Sequence, residues 1–279
     1  MITYLRERFH PLWRLRQQAW YRAAQRRLDF AVLAGRGRIK FYVMFLRDFA
    51  VLAPHRGAEA VSRGVFEGML RELRVTHFFD IGANVGTYAW SARELAPEVE
   101  VFLFEPDPLN VKLLKRTLQR NALAGVHLWE GVVAGRSGAR SFLVDEASGT
   151  VGSLRDDSAK SHSLQSAYHL ARSISVAATT LDDYVEKVRG ERPEAVIKID
   201  VEGAEAEVLE GGRGFVRKLR PLLIVECFER ENLRPMRGLE YAMVDLREGA
   251  NVLLVPRERV EELRAKGIVP EGEAAELMG

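Results

Sequence analysis

Asp80, Gly82, Asn84 and Gly86 fall within seven residues, directly after the apolar run 77–79 and just before a segment of helical character. Glycine lets a backbone turn tightly and approach a ligand with no Cβ in the way, so an acid followed by G-x-x-x-G at a strand–helix junction reads as a binding loop. It is not the G-x-G-x-x-G of a dinucleotide fold, in which pyrophosphate rests on a helix N-terminus. S-adenosylmethionine (SAM) has no phosphate and carries a sulfonium, an amino group and a carboxylate, so an acid beside open backbone suits it better. A second acid, Glu105, ends the next apolar run, 101–104. It stands about 20 residues beyond the loop, where a doubly wound fold hydrogen-bonds a ribose diol. Taken singly, Asp80 could be a helix cap and Glu105 a turn residue; their order and spacing together favour binding.

A third group of acids points to a reaction. The run 196–199 delivers Asp200, Glu202 and Gly203 to its carboxyl end, and Glu226 ends the run 222–225. Ligands in open α/β sheets lie outside those ends. Transfer of a methyl group from a cationic donor to a hydroxyl benefits from a base, and a carboxylate can serve if burial or a neighbouring acid raises its pKa. Asp200 is the first candidate base, Glu202 the second, and Glu226 an orienting group. The competing reading has Asp200 capping the next helix and Glu202 satisfying backbone donors. Lys198, on a buried strand, requires a carboxylate partner. No H-x-H, H-E-x-x-H or C-x-x-C pattern argues for a metal, and none is assigned. His162, Tyr168 and His169 stand in a polar segment where solvated histidines are the rule, while His77, His127 and Trp129 read as structural.

The elements that must position these residues alternate from residue 75 onward between short apolar runs and helical segments, the pattern of a parallel sheet with crossover helices. Strands are expected at 75–79, 99–104, 126–133, 196–199 and 222–225, helices at 87–95, 109–123 and 204–218, an added strand at 139–144 and a late one at 251–255. Asp182 and Asp183 mark a helix start after a strand. A helix at 59–73 should pack one apolar face on this domain. The Ser/Asp/Ala-rich stretch 145–175 shows no sustained periodicity and reads as an irregular insertion. Residues 1–53 read as helical pieces, with Phe41, Val43, Phe45, Leu46 and Phe49 at loose helical spacing.

Over residues 59–256 the chain resembles the FkbM-type SAM-dependent methyltransferases. The resemblance is carried by FDIGANVGTYA (79–89), FEPDP (104–108), TTLDDY (179–184), IKIDVEGAEAEVLEGG (197–212), RPLLIVE (220–226) and NVLLVP (251–256), in that order. It implies an α/β fold with a class I, Rossmann-like methyltransferase sheet, SAM at the carboxyl ends of the strands, and usually O-methylation. It carries Asp80, Gly82, Asn84 and Gly86 over as the SAM loop and Glu105 as the ribose acid. The expectation is a SAM-dependent O-methyltransferase acting on a hydroxyl of a small molecule or glycan and releasing S-adenosylhomocysteine. A nucleic-acid methyltransferase and a non-catalytic SAM-binding scaffold are the alternatives. The absence of an RNA-binding module or an N-P-P-Y-like motif weighs against the former.

The resemblance does not reach residues 1–53, so the expected organisation is a basic helical extension over 1–54 and a methyltransferase domain over 55–279 with the insertion at 145–175. The chain holds 41 basic and 39 acidic side chains, but eleven of the basic and only three of the acidic ones lie in the first 50 residues. That positive segment alternates arginines with Phe9, Trp13, Trp20 and Tyr21, a combination fit for an anionic membrane surface or a homo-oligomer interface. Cys227 is the only cysteine, which excludes an intramolecular disulfide and a four-thiolate zinc site and fits a reducing compartment. With no signal-like beginning and no apolar run of roughly 20 residues, a cytoplasmic protein, peripheral at the membrane, is expected.

Overall fold

The computed structural model describes residue 20, residue 25 and residues 27–35, 37–52, 59–144, 153–154, 172–269 and 275–276. An N-terminal hairpin, β1 (Ala31–Ala34) and β2 (Phe41–Met44), precedes helix α1 (Ala60–Glu72). Then follow β3 (His77–Ile81), α2 (Thr87–Leu95), β4 (Glu100–Phe104), α3 (Pro108–Asn121) and β5 (Val126–Trp129). A four-stranded side sheet comprises β6 (Gly131–Val133), β7 (Gly138–Val144), β8 (Ser153–Leu154) and β9 (Arg172–Thr179) in the order β6-β9-β7-β8. The chain returns through β10 (Ala195–Ile199), α4 (Glu205–Glu210), α5 (Arg213–Leu219), β11 (Leu222–Glu226), β12 (Tyr241–Asp245), β13 (Asn251–Pro256), α6 (Val260–Ala265) and β14 (Ala275–Glu276).

The main sheet runs β14-β12-β13-β11-β10-β3-β4-β5. Strands β11, β10, β3, β4 and β5 are parallel, and β13 enters antiparallel between β11 and β12. Strand β12, antiparallel to β13, runs with these five, so six parallel strands with β13 intruding antiparallel near one edge form the class I methyltransferase sheet, and β14 adds a short antiparallel strand outside β12. Both faces of the parallel strands are covered, so these strands read as apolar runs rather than alternating ones. Phe78, Val101, Leu103, Val196 and Ile224 belong to one core, and Phe79, Ile81, Phe102, Phe104, Ile197, Ile199 and Val225 to the other. Because side chains alternate along a strand, Asp80, Lys198 and Glu226 stand on the first face, the one covered by α1 and α2.

Four expectations need correction. Residues 31–44 form an antiparallel hairpin, not a helix: Phe41 and Val43 are buried while Tyr42 and Met44 are half-buried, a period of two. Residues 1–19 lie outside the described residues. The expected strand 126–133 divides between β5, in the main sheet, and β6, in the side sheet. The expected helix 204–218 breaks at Gly211–Gly212, where Gly211 is pressed so close to the Ala134 carbonyl that a Cβ would lie 2.2 Å from its oxygen. The stretch thought irregular ends in regular structure, since β9 begins at Arg172 and pairs with β7 from Gly138↔Ala178 to Val144↔Arg172.

Candidate active site

The carboxyl ends of β3, β4 and β10 open onto one cleft, lined by the loop residues Gly82 and Asn84, by Glu105, Asp107 and Asn110 on one wall, and by Asp200 and Glu202 on the other. The side sheet contributes Val132, Val133 and Phe142. Four acidic side chains face this cleft, and among the described residues no lysine, arginine or histidine lines it.

The glycines act through close approach. Gly82 has φ of +83°, and a Cβ there would lie 1.9 Å from the Asp200 carbonyl oxygen, so glycine lets the β3–α2 loop close onto the end of β10. Gly86, also left-handed at +81°, starts α2 against the Trp90 indole; it is not among the residues lining the cleft. Asn84, left-handed at +53°, donates its backbone N–H to Glu105 Oε2 (2.7 Å), and its side-chain Oδ1 is buried with no partner.

Glu105, only 4% exposed, is held from three sides: by Asn84 N–H, by Asp107 N–H on Oε1 (2.8 Å), and by the Asn110 side chain. Burial pushes its pKa up to about 8 in spite of these donors, with Asp107 adding to the rise. Asp107 in turn caps α3, accepting from Leu109 N–H at 2.7 Å. Sequence reasoning missed Asp107 and Asn110, although the cap was legible in D-P at a helix start.

Asp80 lies behind the loop. It is 2% exposed, pairs in register with Lys198, accepts from Ala89 N–H, and leaves Oδ2 without a partner. Burial raises its pKa to about 6, Lys198 opposing and Asp200 adding to the rise. It is not among the residues lining the cleft.

Asp200, Glu202 and Glu226 are brought together, and Glu59, which precedes α1, joins them. Carboxylate oxygens of Glu59, Asp200 and Glu226 lie within 4.8 Å of one another. Lys198 threads this cluster, as its burial required, with Nζ 2.7 Å from Asp200 Oδ2. Burial opposes the Lys198 charge, but Asp200, Glu59, Tyr88 and Asp80 outweigh it and raise the pKa, so the ammonium is retained. Glu226 carries the opposite consequence: burial first, then Asp200, raise its pKa to about 9 against the pull of Lys198, so it holds a proton at neutral pH. Glu202 adopts φ of +50° at the turn that aims it at the cleft. Behind it Glu205 locks the turn, accepting Gly203 N–H (2.7 Å) and the Asn232 amide (2.9 Å). His162, Tyr168 and His169 lie outside the described residues.

The model of the FkbM methyltransferase domain matches residues 80–243, the stretch from the loop acid to the strand beside β13. The chain belongs to the FkbM methyltransferase family. It is 31% identical over 150 residues to 2-O-methyltransferase NoeI of Sinorhizobium fredii, covering 50% of this chain and 59% of that one. It is 25% identical over 210 residues to methyltransferase sdnD of Sordaria araneosa, covering 63% and 80%. The chain therefore spans about three fifths of the first relative. Among solved structures, the FkbM methyltransferase of Methylobacillus flagellatus is similar at 16% identity and a TM-score of 0.41, over 68% of this chain and 47% of that one.

Proposed function

We propose that this FkbM family member is a SAM-dependent O-methyltransferase that acts on a hydroxyl of a small molecule or glycan and releases S-adenosylhomocysteine. One observation carries the reading: a cleft at the carboxyl ends of a methyltransferase sheet lined by four acidic side chains and, among the described residues, by no basic one. Such walls offer a pyrophosphate no lining cation, which disfavours a nicotinamide dinucleotide, and their acidic side chains suit a sulfonium ligand. The buried, partnerless Asn84 Oδ1 offers an acceptor, and Glu105 offers its carboxyl group to ribose hydroxyls. When bound, SAM supplies an electrophilic methyl group. The acids at the ends of β10 and β11 then serve the acceptor hydroxyl, Asp200 first and Glu202 second as the base that takes its proton from the cleft wall, and Glu226 as an orienting group in the cluster around Lys198. The 2-O-methylation named for the Sinorhizobium relative supports oxygen as the acceptor.

Calorimetry with SAM and S-adenosylhomocysteine tests the cofactor, and Glu105→Ala should weaken both by removing a partner of the shared ribose. Failure of the folded wild type to bind either would overturn the reading, while an unchanged affinity in the variant would remove Glu105 from the ribose. Isotopically labelled SAM with cell extract would then identify the acceptor class by mass spectrometry.

The N-terminal segment supports a membrane-surface location for this reaction. Trp20, Leu28, Phe30, Leu33 and Phe45 are exposed, with Phe30 and Phe45 stacked at 5.4 Å, beside the most basic part of the sequence. No described helix is long and apolar enough to cross a membrane, so attachment would be peripheral, to anionic lipid.

A further inference from the structure

Arg47 precedes the family domain and is only 3% exposed. It sits in the turn that follows the N-terminal hairpin. Its Nε donates to Asp48 Oδ1 (2.9 Å), its Nη2 to Asn110 Oδ1, and its Nη1 stands 3.7 Å from Asp107 Oδ2. A guanidinium has donors only, so the atom that Asn110 turns toward it must be the amide oxygen. That choice fixes the other end of the amide: the Asn110 nitrogen is left to donate to the Glu105 carboxyl group, which lines the same cleft and whose pKa the Asn110 side chain lowers. Without the guanidinium the amide could reverse and set an oxygen against a carboxylate.

We propose that Arg47 is a positioning residue for the ribose of the bound nucleoside, fixing the sense of the Asn110 amide and, through it, the Glu105 carboxylate. The inference rests on Glu105 as the ribose acid of the proposed SAM site. A segment outside the family domain thereby completes the cofactor wall, which gives the hairpin a functional reason to dock on α3. Docking is otherwise supplied by Tyr42 N–H donating to Thr117 Oγ1 (3.0 Å) and by the reciprocal bonds of Lys40 with Asn121.

Removing Arg47 outright would strand buried Asp48, so the test uses variants that keep the charge. Arg47→Lys retains a cation for Asp48 but lacks the fork that spans Asp48, Asn110 and Asp107. Asn110→Asp keeps an acceptor for Arg47 but has no donor for Glu105. Calorimetry with S-adenosylhomocysteine and with adenosine alone should show each variant losing about tenfold or more in affinity for both probes. Asn121→Ala, which loosens the same hairpin at the far end of α3, should stay within about twofold. In a Glu105→Gln background the Arg47→Lys loss should disappear, because a glutamine amide, with both an acceptor and donors, pairs with either sense of the Asn110 amide. If the wild type binds neither probe, the cofactor reading fails and this inference falls with it. If the wild type binds but both variants bind equally well, or if Arg47→Lys costs as much in the Glu105→Gln background, only the positioning role is overturned.

Discussion

Glu226 holds a proton at neutral pH because it shares a half-buried space with Asp200, Glu202 and Glu59 while Lys198 supplies a single compensating charge. This has a consequence for stability that does not depend on the acceptor. Its folded pKa of about 9 stands above its ordinary value of 4.5, so between those two pH values the unfolded chain releases a proton that the folded chain keeps. The unfolded state then binds fewer protons, and stability falls as pH rises through the window. Glu226→Gln keeps the shape without the ionisation. Thermal unfolding of this variant should show a gain of at least about 1 kcal/mol at pH 8, roughly 2 °C or more in Tm, shrinking toward zero near pH 4.5; a gain independent of pH would reject this electrostatic account. Asp200 tests the chemistry instead. Asp200→Asn should leave SAM affinity within about tenfold and lower methyl transfer by roughly 100-fold or more, the scale of a lost general base. Near-normal turnover would move the base to Glu202, to the segment that holds His162 and His169, or to no residue at all.

At the scale of elements, the acid cluster depends on a helix end. Glu59 precedes α1 and provides no side-chain cap; Glu248, in the turn before β13, does so from 186 residues away. Its carboxylate accepts from Val61 N–H (2.8 Å), Ser62 N–H (2.8 Å) and Ser62 Oγ (2.7 Å). A carboxylate on helix N-terminal donors satisfies groups that the helix cannot and meets the positive end of its dipole. Glu248→Ala should cost about 1–2 kcal/mol, measured by urea unfolding, and should also perturb Glu59. A variant as stable as the wild type would mean that water serves those donors equally well. This contact marks the limit of what the sequence could tell. Helix 87–95 and the strand ends bearing Glu105, Asp200 and Glu226 were legible because apolar runs and their punctuation are local. The placement of Glu59 in the cluster was not, since nothing near it in sequence predicts its neighbours. The hairpin was missed because a four-residue strand shows only two buried positions, too few to tell a period of two from one of 3.6. Strand β12 escaped for a related reason: YAMVD is short, and it is fixed by pairing with β13 rather than by its own pattern. Loop glycines were read as making room for ligand; Gly82 does line the cleft but also makes room for the Asp200 carbonyl, and Gly86 makes room for Trp90, contacts that no local pattern announces.

At the scale of the molecule, the hairpin has two unlike sides. Ala34, Ile39, Phe41 and Val43 join the core beneath α3, while Leu33 and the stacked Phe30 and Phe45 remain exposed, with Leu28 and Trp20 close by in sequence. Contiguous exposed apolar surface on a protein calls for a partner. The proposed partner is an anionic membrane, on grounds of charge: the first 50 residues carry eleven basic and three acidic side chains, which suits anionic headgroups above an apolar layer. Full-length protein should therefore float with vesicles of mixed phosphatidylcholine and phosphatidylglycerol, and not with phosphatidylcholine alone. Raising the salt to about 1 M, where the screening length is about 3 Å, should weaken flotation. A chain carrying Trp20→Ser, Phe30→Ser and Phe45→Ser should lose it at low salt while still binding S-adenosylhomocysteine, because none of the three lines the cofactor cleft. Light scattering separates the competing occupant: if the wild type is a dimer, the triple variant a monomer and neither floats, the apolar face joins two copies of the chain and the membrane proposal is wrong.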